Sequence, residues 1–112
     1  MSSKPTKHYI AQRFTALIQI PLVIWLVFGV IGHAGDTQDQ FRVWLSEPLT
    51  ASLMIIFILS VFFHMHLGMG EVVDDYIHKP SSRSLLNRVN QLVALVLAVL
   101  AVFAVAAITF IA

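Results

Sequence analysis

The chain has 112 residues, of which 58% are hydrophobic and only 12% are charged, about half the charged fraction of a soluble domain. A net charge of +1 without a basic stripe argues against a nucleic-acid-binding surface, and the absence of cysteine excludes disulfides, thiolate metal sites and thiol catalysis. The hydrophobic residues occur in long blocks, which indicates an integral membrane protein.

Three apolar stretches are each long enough to cross a bilayer as a helix, which takes about 20 residues. They cover residues 14–31, 49–69 and 92–112. The first follows basic residues, as in a signal peptide, but it exceeds the roughly 7–15 apolar residues of such a segment and is expected to be retained. Because lipid cannot satisfy exposed backbone groups, we predict an all-α integral membrane protein whose single membrane domain covers residues 1–112.

The segments around the spans carry their own expectations. Gln19 lies inside the first span and needs a polar partner there. The apolar residues between positions 36 and 47 predict a turn lying in the membrane interface. Pro80-Ser81-Ser82 predicts a flexible turn in the second connection. The third span offers a packing face of small residues for a neighbouring helix. That face comprises Ala94, Ala98 and Ala101.

The distribution of lysine and arginine predicts the orientation in the membrane. Six of the seven basic residues precede the first span, mark its start or lie in the second connection, and only Arg42 lies in the first connection. The six are Lys4, Lys7, Arg13, Lys79, Arg83 and Arg88. By the positive-inside rule, the N-terminus and the second connection are expected in the cytoplasm.

The second span carries polar residues that share one helical stripe. The stripe comprises Ser60, His64, Gly68, Glu71 and Asp75. An imidazole within the membrane can ligate heme iron, and Gly68 leaves room for a flat macrocycle or another helix. The same residues also suit interhelical hydrogen bonding or a proton path. His66 points nearly opposite to His64, since two residues turn a helix by about 200°, and packing is its expected role.

Two further residues have paired interpretations. Tyr76 follows His64 by about 18 Å along a continuous helix, at the expected water boundary. Its phenol can either hydrogen-bond a quinone carbonyl or serve as an interfacial anchor. Arg13 can either extend toward the headgroups to fix topology or pair with an anionic heme propionate. Its position favours neither alternative.

These residues resemble a known family. The motif His64-Met65-x-Leu67-Gly68-Met69, continuing to Asp75-Tyr76, resembles the hydrophobic, D-type membrane anchor subunit of succinate dehydrogenase (respiratory complex II). The stretch Gln12–Leu17, followed by Pro21-Leu22, is similar to the entry helix of bacterial members. The resemblance covers the whole chain in length and in number of helices.

The resemblance implies a role for each matching position. His64 would be one axial ligand of a heme b, as a metal ligand to its iron, and a second anchor subunit, the cytochrome b, would supply the other histidine. Arg13 would lie near a heme propionate. Asp75 and Tyr76 would help form the quinone site, with Tyr76 donating to a carbonyl oxygen. The three spans would pack with the second anchor subunit into a heme-enclosing bundle.

The same resemblance implies a place in a larger enzyme. The chain would be a subunit of a succinate:quinone oxidoreductase without itself holding the dehydrogenase centre, and electrons would pass from an iron–sulfur subunit, served by a flavoprotein subunit, to ubiquinone. The short segment before the first span favours a bacterial cytoplasmic (inner) membrane. The alternatives are a fumarate reductase-type quinone anchor, with or without heme, and a non-redox subunit with a polar proton path. His66 as the heme ligand also stays open.

Overall fold

Apart from short connections, the part of the chain that the structure describes is helical. The computed structural model describes the backbone of residues 3–110 and the side chains of residues 6–110. It contains α1 (Ser3–Gly32), α2 (Gln38–Ser46), α3 (Pro48–Tyr76) and α4 (Pro80–Phe110). Three of these helices, α1, α3 and α4, are long and apolar enough to cross a membrane, which confirms the predicted helical membrane protein with three spans.

The long helices continue beyond the apolar stretches that predicted them. Helix α1 already includes Ser3, and α4 begins at Pro80 instead of residue 92. Polar residues such as lysine, arginine and glutamine are good helix formers, so a helix started in lipid extends into the headgroup layer. Residues 111 and 112 of the predicted third span lie outside the described residues.

The flexible turn predicted at Pro80-Ser81-Ser82 is wrong, because these residues form the first turn of α4. Proline suits the first position of a helix, since its missing N–H would have no partner there. The connection is therefore only residues 77–79, and hydrogen bonds close it on both sides. The N–H of Ile77 donates to Val73 O and that of Arg83 to Lys79 O, each over 2.9 Å.

Helix α3 lies between the other two membrane helices and contacts both of them. The Cα atoms of α1 and α4 stay more than 8 Å apart throughout the described residues. Short connections make the three helices run up, down and up, so the start of α1 and residues 77–79 lie at one end of the molecule. The longest dimension is 51 Å, enough to span a bilayer with its headgroups.

The predicted interfacial turn contains the short helix α2, which lies across the opposite end of the molecule. Its start is closed by a capping box, in which Gln40 N–H donates to Thr37 Oγ1 and Thr37 N–H donates to Gln40 Oε1. Ser46 Oγ lies 2.7 Å from Arg42 O within α2 and 3.1 Å from Ile108 O, a contact that joins α2 to the last turns of α4.

Trp44 attaches α2 to α1. Its ring stacks on His33 at 4.5 Å between centroids and lies 6.1 Å from the ring of Trp25. Asp36 in turn lies 2.6 Å from His33 Nδ1. Gly29 permits this close approach, because a Cβ atom there would lie 2.7 Å from Trp44 Cζ2.

Helices α3 and α4 are joined by polar side chains, and α4 buries part of its small-residue face. Ala94 is buried, while Ala98 and Ala101 are half-buried, as expected for a small-residue face. Asn90 Nδ2 donates to His66 O over 2.9 Å, and Asn87 Nδ2 donates to Asp74 Oδ1 over 3.1 Å. These bonds fix the two helices against each other near the 77–79 connection.

Candidate functional site

A series of polar contacts joins α1 and α3 within their membrane-spanning parts. Thr15 Oγ1 lies 2.9 Å from His64 Nδ1, Ser60 Oγ donates to Thr15 O over 3.3 Å, and Gln19 Nε2 reaches Ser60 O at 3.4 Å. Gln19 therefore has the polar partner that its position required. Thr15 and Ser60 are 6% and 8% exposed, so each depends on protein partners where lipid offers none.

His64 is half-buried at this interface and has one ring nitrogen engaged. Nδ1 faces the Thr15 hydroxyl, and Nε2 has no hydrogen-bond partner among the described residues. A histidine with one nitrogen held by an outer partner and the other available is the usual arrangement of a metal-ligating imidazole. The side chain therefore fits one axial position of a heme iron.

Gly68 lies one turn further along α3 and faces α1. A Cβ atom at this position would lie 3.6 Å from Gln12 Nε2, an ordinary van der Waals distance, so Gln12 of α1 is the neighbour of this glycine. Gln12 Oε1 is buried and, within the described part of the chain, has no hydrogen-bond partner.

His66 lies on a different face of α3, as its spacing predicted. It lines an apolar crevice of about 590 Å³ whose walls come from α1, α3 and α4. His66 and Gln91 also line a second, polar cavity, and so lie where the two cavities adjoin. His64 lines neither cavity, and therefore His64 and His66 have separate environments.

The polar cavity lies at the end of the molecule that holds the 77–79 connection. Asp75 lines it together with Glu71 on the same helix, His8 on α1, and Arg83 and Arg88 on α4. Both signs of charge thus meet around Asp75, the carboxylate assigned by resemblance to the quinone site. We name the cavity that these five residues line the polar basin.

Tyr76 and Arg13 belong neither to the polar interface between α1 and α3 nor to the polar basin. Tyr76 is the last residue of α3, and 75% of its surface is exposed. Arg13 is exposed, with its guanidinium carbon 5.2 Å from the centroid of the Tyr9 ring. The structure therefore brings Asp75 into a cavity but leaves Tyr76 and Arg13 at the surface.

For Thr15, sequence reasoning missed the pairing with His64. Thr15 lies 49 positions from His64, and no helical periodicity connects two residues on different helices. The one available indication is a hydroxyl within an apolar span, since such a group needs a partner there. Within the residues that the structure describes, no group of three or more histidine or acidic side chains could hold a metal ion.

Comparison with known proteins identifies the family of the chain. The family model described as the succinate dehydrogenase/fumarate reductase transmembrane subunit matches residues 1–111. The chain belongs to this family. The succinate dehydrogenase membrane anchor subunit of Reclinomonas americana is similar to it, at 30% identity over 68% of this chain and 66% of the relative.

Anchor subunits from Rickettsia are similar as well. The hydrophobic membrane anchor subunit of succinate dehydrogenase from Rickettsia conorii is 27% identical over 76% of this chain and 68% of its own length. Its counterpart from Rickettsia bellii is 28% identical over 70% of this chain. The chain spans slightly less than two thirds of the Reclinomonas americana and Rickettsia bellii relatives, at 66% and 63%.

Proposed function

We propose that the chain is the membrane anchor subunit of a succinate dehydrogenase and that it takes part in electron transfer to quinone. Membership of the transmembrane subunit family supports the anchor role. The observation that carries the redox role is His64, a membrane-embedded imidazole with Nδ1 held 2.9 Å from Thr15 and Nε2 without a partner among the described residues.

His64 would hold one axial position of a heme b through Nε2, and a second anchor subunit would hold the other. This division follows from coordination chemistry, because one histidine cannot occupy both axial positions of a heme. When bound, the heme supplies a one-electron carrier within the membrane. Arg13, exposed on the first helix, would pair with a propionate as a bidentate donor.

Asp75 and Tyr76 would contribute to the quinone site at the end of α3. The phenol of Tyr76 is exposed and therefore available to donate to a carbonyl oxygen of a ligand held between subunits. Asp75 lines the polar basin and would hold or pass on the protons that quinone reduction consumes. This end of a membrane helix suits a ligand with a polar head and a lipid-soluble tail.

The remaining subunits would dock at this same end. An iron–sulfur subunit, with a flavoprotein subunit behind it, would deliver electrons from succinate, so this chain would be an enzyme subunit without a dehydrogenase centre of its own. The concentration of basic residues there favours the cytoplasmic face, and the proposed membrane is a bacterial inner membrane. A fumarate reductase-type anchor is the second candidate, because the matching family includes both enzymes.

The orientation gives a first prediction. The chain has no cysteine, so Ser81→Cys and Asp39→Cys each provide one label position, both at exposed sites on opposite ends of the molecule. In intact cells a membrane-impermeant maleimide is expected to label Asp39→Cys and to leave Ser81→Cys unlabelled until the membrane is broken. The reverse pattern would place the second connection outside and contradict the proposal.

The second prediction tests the function. When the tagged chain is purified in mild detergent from its own host, we expect it to bring a second anchor subunit, an iron–sulfur subunit and a flavoprotein. Reduction of this complex with dithionite is expected to produce a low-spin b-type absorption band. The same subunits without that band would favour a heme-free quinone anchor. Absence of the dehydrogenase subunits would favour a non-redox role.

A further inference from the structure

Thr15 Oγ1 has three polar neighbours, and their chemistry bears on which ring nitrogen of His64 carries a proton. The hydroxyl lies 2.8 Å from Ala11 O and 3.1 Å from Gln12 O, both carbonyl acceptors one turn back on α1. A hydroxyl has one proton, and these carbonyls can only accept it. When the hydroxyl proton lies toward Ala11 O, the shorter of the two contacts, the oxygen lone pairs remain for His64 Nδ1, which lies 2.9 Å away and then acts as the donor.

We infer that Thr15 is the positioning residue for His64: it fixes the imidazole tautomer with hydrogen on Nδ1 and a bare lone pair on Nε2. This inference rests on the proposed function, in which Nε2 of His64 ligates the heme iron. A hydrogen bond from Nδ1–H also orients the ring and makes Nε2 more basic. A more basic ligand favours ferric over ferrous iron and so lowers the midpoint potential.

The surroundings of Thr15 make this bond persistent. Thr15 is 6% exposed and lies within the membrane-spanning part of α1, where water does not compete for the imidazole proton. The backbone of the same residue accepts from Ser60 Oγ over 3.3 Å, which holds α1 and α3 in register. A helix-packing role and a tautomer-fixing role are therefore both present and must be separated by experiment.

The chain offers variants that separate them. Thr15→Val keeps the shape but removes the acceptor, and Thr15→Ser keeps the acceptor. Ser60→Ala is the matched control, because it removes an interhelical hydrogen bond of the same helix pair without touching the imidazole. In the purified complex, heme content, heme dissociation rate and midpoint potential are the readouts, and none of them requires turnover.

We expect Thr15→Val to raise the midpoint potential and to speed heme loss roughly threefold to tenfold, the range of one hydrogen bond within a membrane. Thr15→Ser should restore both values, and Ser60→Ala should leave the potential unchanged. An unchanged potential in Thr15→Val would overturn the inference. Equal potential shifts in Thr15→Val and Ser60→Ala would do the same, because a general packing effect would then explain both.

Two further outcomes are informative. If Thr15→Val does not assemble, Thr15→Ala, which is smaller and creates no overlap, carries the same test. Failure of both to assemble would assign Thr15 to packing alone and overturn the inference. His64→Ala separates failure of the proposed function from failure of this inference. If His64→Ala retains heme, His64 is not the ligand and the proposed function is refuted. If His64→Ala loses heme while Thr15→Val behaves like the unchanged protein, only the role of Thr15 is refuted.

Discussion

His64→Ala is expected to remove heme b from the assembled complex. The variant deletes a ligand outright, so its effect should exceed the roughly tenfold to hundredfold loss in metal affinity that follows from losing an outer partner. Assembly should survive, because Thr15 Oγ1 still donates to Ala11 O and no buried hydroxyl proton is left without an acceptor. The measurement is the ratio of heme to flavin in the purified complex, with the reduced-minus-oxidised spectrum.

His66→Ala is the matched control for this prediction. It is the same substitution two residues away, on a different face of α3, in a side chain that lines the crevice between the three membrane helices. Its backbone carbonyl, which accepts from Asn90, is unaffected by the change. The control should keep its heme. A complex that loses heme in His66→Ala and keeps it in His64→Ala would move the ligand to His66.

The membrane spans could be predicted because their signal is contained in single stretches of sequence. An apolar run of about 20 residues has one stable arrangement in lipid, so three such runs gave three helices. Their ends could not be predicted in this way. Pro80 begins α4 among polar residues, where hydropathy does not indicate a helix start and local hydrogen bonds determine it.

The candidate site was only partly predictable for a related reason. Helical spacing correctly separated His64 from His66, because both lie on one continuous helix. It could not reveal the Thr15–His64 bond, which depends on how α1 packs on α3. It also treated His64 and Asp75 as members of one stripe, while in the structure only Asp75 lines the polar basin. That cavity also needs walls from α1 and α4, which periodicity within α3 does not describe.

The His64–Thr15 bond also relates two interpretations that the sequence left as alternatives. An intramembrane histidine can hydrogen-bond a neighbouring helix or ligate a metal. Here Nδ1 contacts the neighbouring helix, while Nε2 has no partner among the described residues. The two ring nitrogens allow both roles in one side chain. Loss of heme without loss of assembly in His64→Ala would therefore show that the ligand role is the larger one.

Tyr76→Phe is expected to reduce succinate-dependent quinone reduction roughly fivefold to hundredfold, while heme content stays normal. The range corresponds to about 1–3 kcal/mol, the cost of leaving a buried carbonyl acceptor without its donor. The substitution removes one oxygen from an exposed side chain at the end of α3, so helix packing within the chain is unaffected. Quinone reductase activity of the purified complex, compared with succinate oxidation by an artificial acceptor, measures the effect.

Tyr9→Phe provides the matched control, because it makes the same chemical change in an exposed tyrosine near the same end of the molecule. Phenylalanine preserves the ring that lies 5.2 Å from the Arg13 guanidinium carbon, so the cation–π contact should remain. A quinone-specific defect should thus appear only in Tyr76→Phe, together with weaker binding of quinone-site inhibitors. If Tyr76→Phe reduces quinone at the normal rate with unchanged inhibitor sensitivity, Tyr76 is an interfacial anchor, and the carbonyl donor must come from another residue or subunit.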